Sequence, residues 1–184
     1  MSKKIKNTTN PSKNVNNTIN SENLNSHLYN NCNMVIDFSF EGAFVSCKQG
    51  DFSNYLFGNT EFTQKFRSIM NDVQKLSQKT PRELFNGGDY RHCHKTKNEK
   101  LAIEIIKNIF AKIGRTGENF EQELGGEQIL QVGLQSEVRL FGTVSGNKFR
   151  VYFIDYFHDF EYNQTKNERN KKSCKFCAIT SNIE

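Results

Sequence analysis

Apolar and polar residues alternate along the chain in a way that separates a polar opening, a patterned centre and a polar end. The first predicted element begins at Met34, where Ile36, Phe38 and Phe40 alternate with Asp37, Ser39 and Glu41 as in a half-buried strand. Gly42 interrupts it, and residues 43–47 are either its continuation or a partner strand. After Asn59 and Thr60, either of which can cap a helix, Phe62, Phe66, Ile69, Val73 and Leu76 recur at helical spacing, with Lys65, Arg67, Lys75 and Lys79 on the other face. Thr80, Pro81 and Glu83 form a capping box with proline at the first helical position, and Gly87-Gly88 end that short helix. A third helix is expected over 98–113, with Leu101, Ile105, Ile109 and Ile113 on one stripe and Gly114 as its stop.

Past an acidic connector holding Glu118, Glu121, Glu123 and Glu127, the period changes to two. Leu130, Val132 and Leu134 predict one strand, 137–144 a second, and 148–158 a third, rich in aromatic and β-branched residues. Ser145-Gly146-Asn147 between the last two is a hairpin turn. Helices bracketed by strands make this an α+β domain: an antiparallel sheet with a C-terminal hairpin packed against two or three helices. The domain is expected over 34–163. Residues 1–33, dominated by Asn, Lys, Ser and Thr, read as a disordered leader, and 164–184 as a basic flexible tail apart from 174–179.

Composition adjusts this picture in two ways. The 184 residues suffice for one ordinary domain, and the 16 phenylalanines supply its core although only 35% of residues are hydrophobic. The net charge of +5 is unevenly spread: each end carries +3, whereas 65–115 carries +7 and 116–163 carries −5. The pI of 8.9 therefore belongs to two tails and one helical stretch, which makes the helices a candidate surface for a phosphate backbone or an acidic partner, or else a solvated face. There is no membrane-length apolar run and no secretory signal, so a cytoplasmic protein without membrane association is expected. Five cysteines at irregular spacing fit reduced thiols better than a disulfide framework.

The hairpin carries the most suggestive chemistry. If Gly146 and Asn147 are the turn residues, Thr143 faces Arg150, Phe141 faces Tyr152 and Arg139 faces Ile154. One side then shows Arg139, Phe141, Tyr152, Tyr156 and His158, and the other Val138, Leu140, Val151, Phe153 and Asp155. A three-residue turn would change these pairings. Arginine and histidine side by side have what cleavage of RNA requires without a cofactor: an imidazole to exchange a proton with the 2′-hydroxyl or the leaving oxygen, and a guanidinium for the charge growing on phosphorus. The plain alternative is a packed aromatic strand ending in a surface histidine. In Arg91-His92-Cys93-His94, an extended backbone points His92 and His94 the same way, as a second proton carrier or as metal ligands. Arg91 and Lys95 beside them, with Tyr152 and Tyr156, are candidates for holding substrate. Cys174 and Cys177 have the spacing of half a zinc knuckle that His92 and His94 could complete. Asp155, Asp159 and Glu161 are carboxylates near His158. No phosphate-binding glycine loop is present.

The stretch from Val138-Arg139-Leu140-Phe141-Gly142 through Lys148-Phe149-Arg150-Val151-Tyr152-Phe153-Ile154-Asp155 to His158 resembles the closing hairpin of RelE/YoeB-type toxins. That resemblance implies Arg139 at the phosphate and His158 or Tyr156 as the acid–base group, in a metal-independent endoribonuclease that is toxin-like or defence-associated, of bacterial or mobile-element origin. RNA and an acidic antitoxin would be its partners. More widely, Phe38-Ser39-Phe40, Arg91-His92-Cys93-His94, Arg139 to Gly142 and Asp155-Tyr156-Phe157-His158 are similar to an uncharacterised group of small bacterial proteins with a strand ending in Asp-x-x-His. This likeness implies His94, Arg139, Asp155 and His158 as members of one site. The alternative function is a non-catalytic regulatory module that binds an acidic protein or nucleic-acid partner through its basic helices.

Overall fold

Five strands pair in the order β1-β7-β6-β5-β4 in the computed structural model, which describes residues 31–86, 90–115, 117–161 and 173–179. The expectations for 1–30, for Gly87-Gly88 and for most of 164–184 fall outside those residues. The strands are β1 (Val35–Asp37), β4 (His94–Lys95), β5 (Leu130–Gly133), β6 (Arg139–Ser145) and β7 (Lys148–Asp155), with a separate pair formed by β2 (Lys48–Gln49) and β3 (Phe52–Ser53). The pairs β4–β5, β5–β6 and β6–β7 are antiparallel, as expected. The first strand departs from this: β1 lies parallel to β7, with Val35 opposite Lys148 and Asp37 opposite Arg150. A parallel neighbour needs a crossover connection, and here the whole intervening chain supplies it. The fold is thus α+β with a mixed sheet and a C-terminal hairpin.

Helix α1 (Asn59–Leu76) buries Ile69 and Leu76 and half-buries Phe62 and Val73, while Phe66 on the same stripe stays 37% exposed. Neither Asn59 nor Thr60 caps it; the N-cap is Gly58, and Glu61 accepts a hydrogen bond from the Phe57 N–H at 2.7 Å. Helix α2 (Pro81–Asn86) has the reciprocal box its sequence implies, with Thr80 N–H to Glu83 Oε2 at 2.7 Å and Glu83 N–H to Thr80 Oγ1 at 3.2 Å. In α3 (Glu99–Lys112), Asn98 Oδ1 accepts from Leu101 N–H at 3.2 Å, Ile105 and Ile109 are wholly buried, and Gly114 takes the left-handed stop at φ 75°. The acidic connector is itself partly helical, as α4 (Gly117–Leu124). Phe120 and Leu124, one turn apart, are buried, and Phe120 meets Phe110 edge-on at 5.5 Å.

The hairpin turn is the two-residue form, since Ser145 pairs with Lys148 and Gly146 has φ 63°. The pairing Thr143–Arg150 follows. Beyond it the expected register fails: Phe141 pairs with Phe153 rather than Tyr152, and Arg139 with Asp155 rather than Ile154. Tyr152 is the extra residue of a bulge at Phe141/Gly142. A side chain at position 142 would collide with the Arg150 carbonyl, so only glycine fits there. The slip moves Arg139 and Phe141 to the side of Phe153 and Asp155, away from Tyr152. Phe141 and Phe153 stack at 4.6 Å with 3° between their planes, and Phe160 closes the group at 4.6 Å from Phe141. Tyr152 turns instead to Phe40, at 5.3 Å.

Residues 173–179 return to the domain. Leu56 and Phe176 form an isolated bridge, and the Ser46 N–H donates to Cys177 Sγ at 3.1 Å. All five cysteines are free thiols. Among the described residues no helix is long and apolar enough to cross a membrane.

Candidate functional site

Three strand ends meet at one corner of the sheet, because Arg139 lies opposite both Gly133 and Asp155. Asp155 is fully buried and its carboxylate accepts N–H bonds from Phe157 at 3.1 Å and Phe160 at 2.8 Å. It therefore holds the turn that follows β7, and His158 sits on that turn in the left-handed conformation, φ 59°. A non-glycine residue held there stores backbone strain, a pattern common at functional sites. Burial pushes the Asp155 carboxyl up to about 6 despite those bonds.

Arg139 is only 5% exposed; its Nη1 donates to the carbonyls of Ser136 at 2.7 Å and Val138 at 2.8 Å. Its Nε meets no acceptor among the described residues. Burial lowers its pKa, opposed by Asp155, Cys93 and Glu137. This charge reaches two imidazoles. His158 falls to about 4, first through burial and then through Arg139 and His92, against the opposing pull of Glu161 and Glu137. His92 is also lowered, by burial, Arg139, Arg91 and His94. The backbone of His92 lies against Gly133, where a side chain would collide with its Cβ.

The histidine expected to join His158 was His94, and the two imidazoles of the 92–94 segment do not point together. A turn at 91–92 precedes β4, so His92 is exposed and His94 is buried. Both nitrogens of His94 are engaged: Nδ1 lies 2.8 Å from the Lys95 carbonyl, which can only accept, so Nδ1 carries the proton and Nε2 accepts from Gln131 Nε2 at 3.3 Å. Tyr152 is buried, with its hydroxyl donating to the Glu123 carbonyl at 3.2 Å. Tyr156 is buried too, and burial raises its pKa. Lys95 is exposed and pairs with Glu99 at 3.3 Å. Arg91 is exposed and forms no ion pair among the described residues. The set His92, His94, Cys174 and Cys177 is not assembled: among the described residues no three His, Cys, Asp or Glu side chains converge as a metal site requires.

Beside His92 opens a cavity of about 400 Å³ between the C-terminal half of α1, the 90–93 turn and the end of β5; Lys75, Lys79, Tyr90 and Arg91 stand on its wall with His92. Lys75 and Lys79 belong to the basic helix face that the sequence offers as a phosphate-binding or solvated surface; their place beside Tyr90 and His92 depends on the tertiary fold. Much of the remaining basic stretch is used internally. Lys65 pairs with Glu137 and donates to the Tyr156 carbonyl, Lys112 donates to the Ser46 carbonyl and Tyr55 hydroxyl, and Arg115 pairs with Glu41 and Glu123. Two of these contacts, Lys65–Glu137 and Arg115–Glu123, tie the basic stretch to the acidic 116–163 segment.

Fold and corner together define a small α+β domain with one arginine and two histidines at one end of the inner strands of a mixed sheet. The chain belongs to the family described as Uncharacterised protein UU032, whose model matches residues 39–184. A curated relative of the same description from Ureaplasma parvum is 25% identical over 179 residues, covering 97% of this chain and 95% of its own length. No solved structure matches. Membership agrees with the wider resemblance to a group of small bacterial proteins; it gives no support to the RelE/YoeB-type likeness.

Proposed function

We propose that the protein is an endoribonuclease, toxin-like or defence-associated, that cleaves RNA with His158 and His92 as its acid–base pair. The observation that supports this reading is the meeting of three strand ends, with the His92 backbone against Gly133 opposite Arg139 and His158 on the turn after Asp155. Both imidazole pKa values are lowered by burial and by the Arg139 charge. His158 is neutral at neutral pH, as a general base must be. It takes the 2′-hydroxyl proton, the 2′-oxygen bonds to phosphorus, and the bond from phosphorus to the 5′-oxygen breaks as protonated His92 supplies that oxygen's proton. The products are a 2′,3′-cyclic phosphate and a free 5′-hydroxyl. An anionic phosphate beside His92 raises its pKa toward the charged form that a general acid needs. Arg139 contributes positive charge from beneath the surface, acting through the field rather than by direct contact with the phosphate.

Docking of an acidic partner on the basic helices is the weaker reading, because Lys65, Lys112 and Arg115 are already engaged within the chain. The test is a labelled oligoribonucleotide incubated with the purified chain, with products read by mass. Wild type should yield cyclic-phosphate ends, and His158→Asn and His92→Ala should each lose about 100-fold or more in rate. Absence of cleavage by the wild type, or cleavage that both variants retain, overturns the assignment.

A further inference from the structure

The cavity beside His92 has features that the cleavage chemistry does not use. Its volume of about 400 Å³ lies within the ~300–1,000 Å³ of small-ligand clefts. Its wall combines three cations with apolar surface: Lys75, Lys79 and Arg91 stand with Leu76, Leu134 and the half-buried Tyr90. The cations are unevenly committed. Lys79 reaches Glu83 only at 3.9 Å, and Arg91 has no ion-pair partner among the described residues. Among the described residues Asp72 is the one carboxylate on the wall. It is compensated, with Oδ2 accepting the Gln135 N–H at 3.1 Å and Oδ1 lying 3.6 Å from Lys75 Nζ. A cleft whose described wall carries three cations against one carboxylate, together with apolar and aromatic surface, suits an anion carrying a flat ring.

We infer that this cavity is a mononucleotide subsite, in which Arg91 and Lys79 hold a phosphate and the surface around Tyr90 receives the base. The assignment rests on the proposed cleavage reading for its substrate class, since His92 belongs to both the cavity wall and the acid–base pair. The nucleotide bound here adjoins the phosphate that His92 and His158 handle, so the cavity selects one nucleotide at the cut.

Calorimetric titration of the full chain with adenosine 3′-monophosphate, adenosine and inorganic phosphate tests this. The nucleotide should bind saturably and at least tenfold more tightly than either part alone. Arg91→Ala and Lys79→Ala should each weaken it about tenfold, the loss expected for a charge-assisted hydrogen bond, with unfolding midpoints unchanged because both side chains are on the surface. Tyr90→Leu should weaken the nucleotide while leaving inorganic phosphate unaffected. No saturable binding, equal binding of adenosine, equal binding of phosphate, or indifference to both cation substitutions overturns the subsite. Nucleotide binding with no RNA cleavage removes the catalytic reading and leaves the cavity as a nucleotide site, whereas cleavage without nucleotide binding does the reverse.

Discussion

Replacing His158 by asparagine should remove a specific part of the protein's pH dependence. Asparagine tolerates the left-handed conformation at φ 59°, so the turn is kept while the imidazole is lost. In the native chain His158 falls from 6.5 to about 4. A histidine depressed by folding is more readily protonated in the unfolded chain. Its contribution to stability is therefore complete above pH 6.5 and declines as pH falls toward about 4. At about 1.36 kcal/mol per pH unit, this fall sets a ceiling of about 3 kcal/mol; partial exposure of the ring and solvent screening bring the expected value to about 1–2 kcal/mol. Asp155 works in the opposite sense. Its raised pKa favours the native state below 3.8, and that advantage is lost as pH rises through about 6. The wild-type curve alone is thus flattened, and the difference between wild type and His158→Asn isolates the imidazole. Urea unfolding followed by tyrosine fluorescence, convenient in a chain with no Trp, should show the difference shifting by about 1–2 kcal/mol between roughly pH 7.5 and pH 4.5. A constant difference across that range refutes the electrostatic account of the corner.

Two further outcomes test the scaffold. Gly142→Ala places a methyl against the Arg150 carbonyl, which the bulge cannot move without breaking the hairpin; a loss of about 3 kcal/mol or more, or failure to fold, is expected by circular dichroism and urea titration. Thr80→Ala removes the hydroxyl that accepts the Glu83 N–H. It should cost about 1 kcal/mol in the same titration, with Thr80→Ser recovering most of it.

Some elements announce themselves locally. In α3 the apolar stripe, the Asn98 cap and the Gly114 stop are all written in adjacent residues, and each appears in the structure. The same holds for the capping box of α2; the hairpin turn at 145–147 is also local, but its two-residue form is settled only by the pairing of Ser145 with Lys148. The errors occur where an outcome depends on distant chain. Nothing in Lys148–Asp155 distinguishes a continuous strand from one with an extra residue, and the only local trace of the bulge is Gly142 across the ladder. That single residue changed which side of the sheet Arg139 shares. The glutamates around α4 masked the Phe120–Leu124 pair that buries it. The partner of β1 was hidden because three residues carry no record of what they pair with. At the corner, Arg139 and His158 were legible as residue types. That His92 stands exposed while His94 is buried depends on a turn at 91–92 that extended-strand alternation does not anticipate.

The parallel seam between Val35–Asp37 and Lys148–Arg150 bears on how the protein is made. During synthesis the opening strand emerges from the ribosome long before the segment it must join. Helices α1 to α3 can gather in the interval, yet Val35–Asp37 has no strand to pair with until the hairpin is complete. Such late, non-local closure slows acquisition of the native topology, and a nascent chain stalled before the final strand would leave the opening strand unpaired and accessible to chaperones.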